Sequence, residues 1–139
     1  MAGAALLMSI RPQYAEKIFN GTKTVELRRV KPKFLKEGDL VFVYVSAPVK
    51  SLVGAFSVAS LVQKDVFPLW DDVKDIAGIS HEDYLAYFKG AQRGVAIFIK
   101  SIWLLPKPIH LSEMQREVDG FYPPQSFRYT TIHQVESFQ

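Results

Sequence analysis

The sequence predicts an α+β fold in which a small, curved, mixed β-barrel is flanked by helices. Segments follow one another as strand, helix, several strands, helices and strand, which differs from the strict alternation of a doubly wound sheet. Hydrophobic residues make up 48% of the 139 residues, so the chain can bury a sizeable core. No repeat, linker or low-complexity stretch divides it, and we expect one domain over residues 1–139.

The first three predicted elements are a strand, a short helix and a second strand. Residues 6–10 form an apolar run typical of a buried strand. Pro12 is tolerated in a first helical turn and Gly21 suits a helix end, so the apolar spacing predicts a helix over 11–20. Residues 24–30 alternate between apolar and polar side chains, which predicts a strand with two different faces.

Two more strands and a helical region follow. Residues 40–45 are apolar on both faces, as in a central strand, and residues 52–62 indicate another strand or a bent pair of strands. Apolar residues at helical spacing then predict a helix that ends at Gly78. Ser80, with Asp83 three residues later, resembles the cap of the next helix.

The last third of the chain predicts one strand, one short helix and an irregular tail. Residues 94–105 are rich in Ile, Val, Phe and Trp, and the Pro-Lys-Pro run at 106–108 is expected to end this strand. Ser112 and Gln115 predict the cap of a short helix. From Pro123 onward we expect an irregular tail with scattered aromatic residues.

The composition excludes several classes of site. The chain has no cysteine, which removes disulfides, zinc–thiolate sites and cysteine nucleophiles, and which suits a reducing cytoplasm. Residues 1–10 are apolar but too few to cross a membrane, and they lack the features of a signal peptide. We therefore expect a cytoplasmic protein without a membrane partner. No phosphate-binding glycine loop, dinucleotide fingerprint or nucleophile elbow is present, so no cofactor is expected.

A metal site is not expected either. His81, His110 and His133 lie far apart in the sequence, and none pairs with another at metal-ligand spacing. The aspartates within residues 71–75 suit the outward positions of a helix better than a cation site.

Residues 21–36 concentrate positive charge. This segment holds six basic residues and one acid, a net charge of +5, which leaves −2 for the rest of a chain whose total is +3. A basic segment on a nearly neutral body predicts a polyanionic partner. An ordinary solvated surface is the alternative.

Three charged side chains stand at the start of the second predicted strand. Glu26 and Arg28 share one strand face, and Lys23 precedes them. In a cleft, Glu26 would accept hydrogen bonds from a ligand, Arg28 would hold a planar or phosphate group, and Lys23 would supply a charge or a nucleophile. On an open surface the same residues would form an ion-pair ladder that contributes little.

Gly21, Lys23, Glu26 and Arg28 match in order the GxKxxExR signature of the ASCH domain family, which this segment resembles. The surrounding LLMSIRPQYAEKIFNGTKTVELRR is similar to the strand, helix and strand of that family, and EGDLVFVYVSAP and LVGAFSV are similar to its next two strands. PPQSFRYT resembles a segment of some bacterial and phage members. The resemblance implies a PUA-like fold, a small β-barrel with helices covering its ends.

The resemblance also implies a cleft between barrel and helices that binds RNA or a modified nucleoside, lined by Lys23, Glu26 and Arg28. Some small bacterial relatives are amidohydrolases that act on acylated cytidine through a lysine, a threonine and a distant acid. Lys23 aligns with that lysine, but Glu26 occupies the position of the threonine. Thr24 is nearby but points to the opposite face of the strand from Lys23, and Asp75 is the candidate for the distant acid.

Three function hypotheses follow. The first is a binding module for nucleic acid, most of all RNA, or for a modified nucleoside. Whether its role is regulatory is left open. The alternative is a small amidohydrolase for N-acylated cytidine or a related nucleoside, with Lys23 and Glu26 as its catalytic residues. The third is a protein-interaction domain whose basic segment contacts an acidic partner.

Four more residues complete the predicted binding site. Arg11 follows the end of the first strand and could contact a phosphate. Tyr44, beside Ser46 at the end of its strand, is the first choice for a ring that stacks on a base, although core packing is the commoner role of such rings. Arg29 belongs to the same basic segment as Arg28.

Overall fold

The computed structural model describes residues 4–138, in which six strands and five helices form a mixed α+β fold, as predicted. They are β1 (Ala4–Ile10), α1 (Pro12–Phe19), β2 (Val25–Arg28), β3 (Leu40–Val45), β4 (Ser51–Asp65), α2 (Val66–Val73), α3 (His81–Tyr87), β5 (Arg93–His110), α4 (Leu111–Glu117), β6 (Phe127–Thr131) and α5 (Ile132–Glu136). The beginning of the apolar stretch 1–10 lies outside the described residues. Within them, every helix is too short or too polar to cross a membrane.

The strands form one mixed sheet in the order β2-β5-β4-β3-β1-β6. β1 runs parallel to β3, and the other neighbouring strands are antiparallel. β4 and β5 pair over most of their 15 and 18 residues, with register shifts that interrupt the ladder. The sheet is not closed, because β2 and β6 remain its two edges. The expected barrel is therefore not confirmed.

Three hydrophobic clusters pack around this sheet. One joins α1 to β1, β3, β4 and β5, and a second joins α4 and α5 to β1, β3, β4 and β5. The third joins α2 and α3 to β2 and β5. Alternate side chains of a strand point to opposite faces, so β2 can bury Val25 and Leu27 in the third cluster and present its other two side chains elsewhere.

The structure confirms the predicted elements of the first half of the chain. α1 lies within the predicted range 11–20, begins with proline and is followed by Gly21 at a φ of +86°. β2 and β3 also lie where strands were predicted. The hydroxyl of Ser80 accepts a hydrogen bond from the backbone N–H of Asp83 (3.1 Å), which confirms the predicted cap of α3.

Several predictions for the second half are wrong. β5 continues through the prolines at 106–108 to His110, and α2 ends at Val73, ahead of Gly78. α4 is capped by His110, whose ring accepts a hydrogen bond from the backbone N–H of Ser112, so Ser112 is not the cap itself. The expected irregular tail contains β6 and α5.

Candidate functional site

A cavity of about 680 Å³ opens where α1, β2 and α3 meet. Five of the seven predicted site residues line it. The charged, hydroxyl and amide side chains in its wall are Ser9, Arg11, Gln13, Tyr14, Lys23, Glu26, Arg28, Ser46, Asp83, Tyr87 and Gln125. The cavity thus combines both signs of charge with neutral hydrogen-bonding groups.

Glu26 and Arg28 project from β2 into this cavity, on the side away from the α2–α3 cluster. Arg28 Nη1 donates a hydrogen bond to Glu26 Oε2 (3.0 Å). The other terminal nitrogen of Arg28 donates to Ser126 Oγ, just before β6, so a side chain connects the two edges of the open sheet. Because Glu26 is only 5% exposed, this pair is not the solvated ion-pair ladder considered above.

Lys23 is 3% exposed and forms the floor beside this pair. Its Nζ donates to the backbone oxygen of Ala77 (2.6 Å), lies 4.0 Å from Glu26 Oε1 and lies 5.1 Å from the centre of the Tyr14 ring. Burial lowers the pKa of Lys23, Glu26 opposes this change, and the charge of Lys17 adds to it. Its hydrogen bond to Ala77 holds the Lys23 amino group next to the Glu26 carboxylate.

The lowered pKa of Lys23 makes a prediction about stability. Between its folded-state pKa and the ordinary value of 10.5, the unfolded chain binds more protons, so the free energy of unfolding rises with pH. We expect wild type to gain stability relative to Lys23→Met as the pH rises from about 7 to about 10. Urea unfolding of both proteins at matched pH values measures the difference in stability. The pH dependence that comes from tyrosines common to both proteins cancels from that difference. A difference that stays constant with pH would contradict the prediction.

A second lysine fixes the loop that follows α2. Lys17 Nζ donates to the backbone oxygen of Gly78 (2.8 Å). Gly78 has a φ of +61°, and a Cβ added there would lie 3.1 Å from Lys17 Cδ and from Lys23 Cβ. Glycine therefore satisfies both the backbone conformation and the close approach of the lysines. The loop continues directly into Ile79 in the cavity wall.

Arg11 and Ser46 lie where the parallel strands β1 and β3 end. The backbone N–H of Ser46 donates to the oxygen of Ile10 (3.0 Å), and the oxygen of Arg11 accepts from Ala15 N–H (2.9 Å) at the start of α1. Both residues line the cavity, and the Arg11 side chain is exposed. This placement agrees with their predicted positions at strand ends.

Tyr44 and Arg29 are placed differently from the prediction. Tyr44 is buried in the cluster beneath α4 and α5, on the opposite face of β3, and does not line the cavity. Arg29 Nη1 donates to the backbone oxygens of Tyr87 (3.0 Å) and Lys89 (2.8 Å). Arg29 thereby holds the end of α3 next to β2, and it too lies outside the cavity wall.

Of the four residues considered for an amidohydrolase, Lys23 and Glu26 lie together in the cavity wall, and the other two do not join them. Thr24 and Asp75 are both exposed, and neither lines the cavity. The backbone of Thr24 is instead tied to Ile76 and Ile99. Lys23 and Glu26 remain in the wall, and the Nζ of Lys23 is already bonded to a backbone oxygen.

Two tyrosines in the cavity wall were not predicted. Burial raises the pKa of Tyr14, with a smaller contribution from Asp83, and burial also raises the pKa of Tyr87. Both phenols therefore stay protonated at neutral pH and can donate hydrogen bonds. The position of Tyr14 three residues after Arg11, on the first turn of a helix, was a usable signal. No such signal in the sequence pointed to Tyr87, because its position depends on how Arg29 holds α3.

The chemistry of this cavity suits a polar ligand. Arg28 and Arg11 can bind an anionic group, Glu26 can accept hydrogen bonds or a proton, and the phenols can donate to ligand oxygens. Within residues 4–138, no three His, Cys, Asp or Glu side chains are grouped so that they could hold a metal ion.

Comparisons with known proteins agree with this fold. An "ASCH domain-containing ribonuclease" of Zymomonas mobilis is 32% identical over 123 residues, which cover 88% of this chain and 82% of that protein. The crystal structure of ASCH from Zymomonas mobilis is 29% identical, with a TM-score of 0.88 over 96% of this chain and 92% of that one. The N-terminal domain of Staphylothermus marinus McrB, 10% identical, has a TM-score of 0.61 over 96% of this chain and 92% of that one and shows similarity of fold alone.

The family assignment follows from the extent of the match. The model of the ASCH domain family matches residues 8–123, which include the strands and helices that form most of the cavity wall and the complete GxKxxExR segment. This result confirms the resemblance found in the sequence. The chain belongs to the ASCH domain family.

Proposed function

We propose that this protein binds single-stranded RNA and places one nucleotide in the cavity between α1, β2 and α3. The observation that carries the proposal is the buried Glu26 carboxylate, held between Lys23 and Arg28 in the wall of a cavity of about 680 Å³. Ligand sites of small molecules typically have volumes of about 300–1,000 Å³, so a nucleotide is an appropriate occupant.

Arg28 is the proposed phosphate contact. A guanidinium carries five N–H donors, and the bonds of Arg28 to Glu26 and Ser126 leave some of them for a ligand. Its planar fork matches the geometry of a phosphate, and Arg11 at the exposed edge of the cavity adds a second cation. Glu26 and the two phenols would then contact the base or the ribose.

The choice of RNA rests on the similarity to the Zymomonas mobilis protein, whose name describes a ribonuclease. A free modified nucleoside could use the same contacts to Glu26 and the phenols, but it would offer no anion to Arg11 or to the N–H donors of Arg28 that Glu26 leaves free. The two cations therefore favour a ligand that carries phosphate.

Cleavage of the bound RNA is the second candidate function, favoured by the position of Glu26 beside Arg28. The Glu26 carboxylate would take the proton of a ribose 2′-hydroxyl, whose oxygen would form a bond to phosphorus. The bond from phosphorus to the 5′-oxygen would break, and that oxygen would take a proton from the hydroxyl of Tyr14 or Tyr87. The products would be a 2′,3′-cyclic phosphate and a free 5′-hydroxyl, with Arg28 stabilising the charge that develops on phosphorus.

The amidohydrolase alternative has less support. Glu26 stands in place of the threonine that the resemblance requires, and Thr24 and Asp75 lie outside the cavity wall. Incubation with N-acylated cytidine, followed by chromatography for free cytidine, tests this alternative directly. Release of cytidine that depends on Lys23 would favour it over the cleavage of RNA.

The basic segment makes the first prediction for RNA binding. Within residues 4–138, Lys36 pairs with Asp39, whereas Lys31 and Lys33 are exposed and form no ion pair. Each phosphate neutralised on a single strand changes the slope of log affinity against log salt by about 0.7, so replacing both lysines by glutamine should reduce that slope by about 1.4. Fluorescence anisotropy with labelled single-stranded RNA at several salt concentrations measures it.

A matched control is the double change of Lys100 and Lys107, two exposed lysines of β5 outside the cavity wall, to glutamine. The control should keep the slope of wild type. An affinity that is indifferent to salt in wild type would rule out the proposed phosphate contacts of the basic segment.

A further inference from the structure

An exposed pair of aromatic rings, which we call the Phe34–Tyr129 platform, lies beside the open edge of the sheet. Phe34 is 67% exposed and Tyr129 is 44% exposed. Their ring centres lie 5.6 Å apart, with 57° between the ring planes. The backbone N–H of Phe34 donates a hydrogen bond to the hydroxyl oxygen of Tyr129 (2.7 Å), so the loop and β6 hold the two rings together.

The loop after β2 is anchored in a way that turns Phe34 outward. Leu35 is buried in the cluster beneath α1, and its backbone N–H donates to the oxygen of Pro32, which is also buried. With these neighbours fixed, the Phe34 ring remains in solvent. A single exposed apolar residue is ordinary. Two adjacent exposed rings held together by a hydrogen bond form an apolar surface, and a flat ligand can stack on one ring while it contacts the other.

The charge around the platform indicates the kind of ligand. Residues 29–36 contain four basic residues and no acidic residue. The Lys33 ammonium lies 5.5 Å from the centre of the Phe34 ring, and Lys31 is exposed nearby in the same loop. Aromatic rings combined with basic side chains are the surface that single-stranded nucleic acids use, with rings for the bases and cations for the phosphates.

Both segments that carry the rings of the platform lead away from Arg28 in the cavity wall. Arg28, in the cavity wall, is the last residue of β2 and leads directly into the loop that carries Phe34. Ser126, the partner of Arg28, lies three residues before Tyr129 in the segment that becomes β6, a distance of about 10 Å at about 3.3 Å per residue. An RNA strand bound at Arg28 can therefore extend over the platform.

We propose that the Phe34–Tyr129 platform is a stacking subsite for a base next to the nucleotide in the cavity. This inference rests on the proposed binding of single-stranded RNA. A ring stacks on every base in a similar way, so the subsite adds affinity with little sequence preference. Binding should therefore depend on the length of the RNA, because a mononucleotide in the cavity cannot reach the platform.

Phe34→Ala tests the subsite. Removing an aromatic platform typically weakens binding of a stacked base about 5- to 150-fold, so affinity for an RNA of about six nucleotides should fall by such a factor. Affinity for a nucleoside monophosphate should stay the same as in wild type. Phe34→Trp retains a ring and should keep or increase affinity for the longer RNA. Anisotropy with labelled RNA, in competition with the monophosphate, measures both.

The matched control is Phe67→Ala, which removes a phenylalanine that is 75% exposed on α2 and outside the cavity wall. This variant should bind both ligands as wild type does. Inorganic polyphosphate is the second control, because it carries charge without bases. Its affinity should fall in Lys33→Gln and stay unchanged in Phe34→Ala.

The possible failures are distinguishable. If wild type binds the longer RNA and Phe34→Ala binds it equally well, the subsite is wrong and the proposed function stands. If wild type binds neither RNA nor monophosphate, both proposals are wrong. If Phe34→Ala loses as much affinity for polyphosphate as for RNA, the stacking proposal is wrong, and the substitution has instead changed the conformation of the loop. Tighter binding of polyglutamate than of RNA, with the same dependence on Phe34, would indicate an acidic protein partner instead.

Discussion

Replacing Glu26 with glutamine is expected to slow cleavage of single-stranded RNA about 10²- to 10⁴-fold, the range typical of a lost general base. Glutamine keeps the shape of the side chain and can still accept a hydrogen bond from Arg28, so the affinity for RNA should change little. It cannot take up the proton of a 2′-hydroxyl. Single-turnover cleavage of a labelled RNA, with affinity measured in parallel, separates the two effects.

The control for this change is Glu117→Gln, which alters an exposed glutamate at the end of α4 and should leave both quantities at the values of wild type. Cleavage by Glu26→Gln at the rate of wild type would assign the proton transfer to another group. If wild type itself binds RNA without cutting it, the catalytic proposal fails and the binding proposal remains.

The geometry of Glu26 and Arg28 was accessible from the sequence because it is set locally. Alternation along β2 places both side chains opposite Val25 and Leu27, and the glycine after α1 brings the strand back against the helix. Lys23 was also predicted for the site. Its bond to Ala77, 54 residues away, could not be predicted, because it depends on where the loop after α2 packs.

The C-terminal elements were missed because long-range contacts determine them. β6 pairs with β1, and the side chain of Ser9 reaches the backbone oxygen of Pro124, 115 residues further along the chain. The prolines at 106–108 were expected to end β5. They fall in a bulge, since Leu104 pairs with Gly54 and Ile109 with Leu52, so no ladder hydrogen bond to β4 is lost there.

The aromatic residues show a similar limit. Tyr44 sits near a strand end next to Ser46, yet its ring lies in the core beneath α4 and α5. Tyr87 follows the helical pattern of a packed residue, yet it lines the cavity because Arg29 holds the end of α3 against β2. Sequence spacing gives the face of an element, whereas the packing of other elements decides whether that face meets core or cavity.

Arg28→Met is expected to weaken binding of single-stranded RNA about 10- to 150-fold, since a hydrogen bond to a charged group contributes about 1.5–3 kcal/mol. Methionine retains much of the apolar stem but removes the fork that would hold a phosphate. Arg28→Lys keeps the charge without the fork and should fall between wild type and Arg28→Met. Arg116→Met, on the exposed side of α4, is the control and should bind normally.

A folding effect must be separated from this loss, because Arg28→Met leaves the Glu26 carboxylate buried with only Lys23, 4.0 Å away. Removing one partner of a buried pair can cost about 3–5 kcal/mol of stability. The double variant Arg28→Met/Glu26→Gln removes both charges of the pair, so we expect it to recover part of the stability but none of the RNA affinity. Urea unfolding and anisotropy of Arg28→Met, Glu26→Gln and the double variant complete this double-mutant cycle. An affinity that returns together with stability would show that Arg28 supports the fold and does not contact RNA.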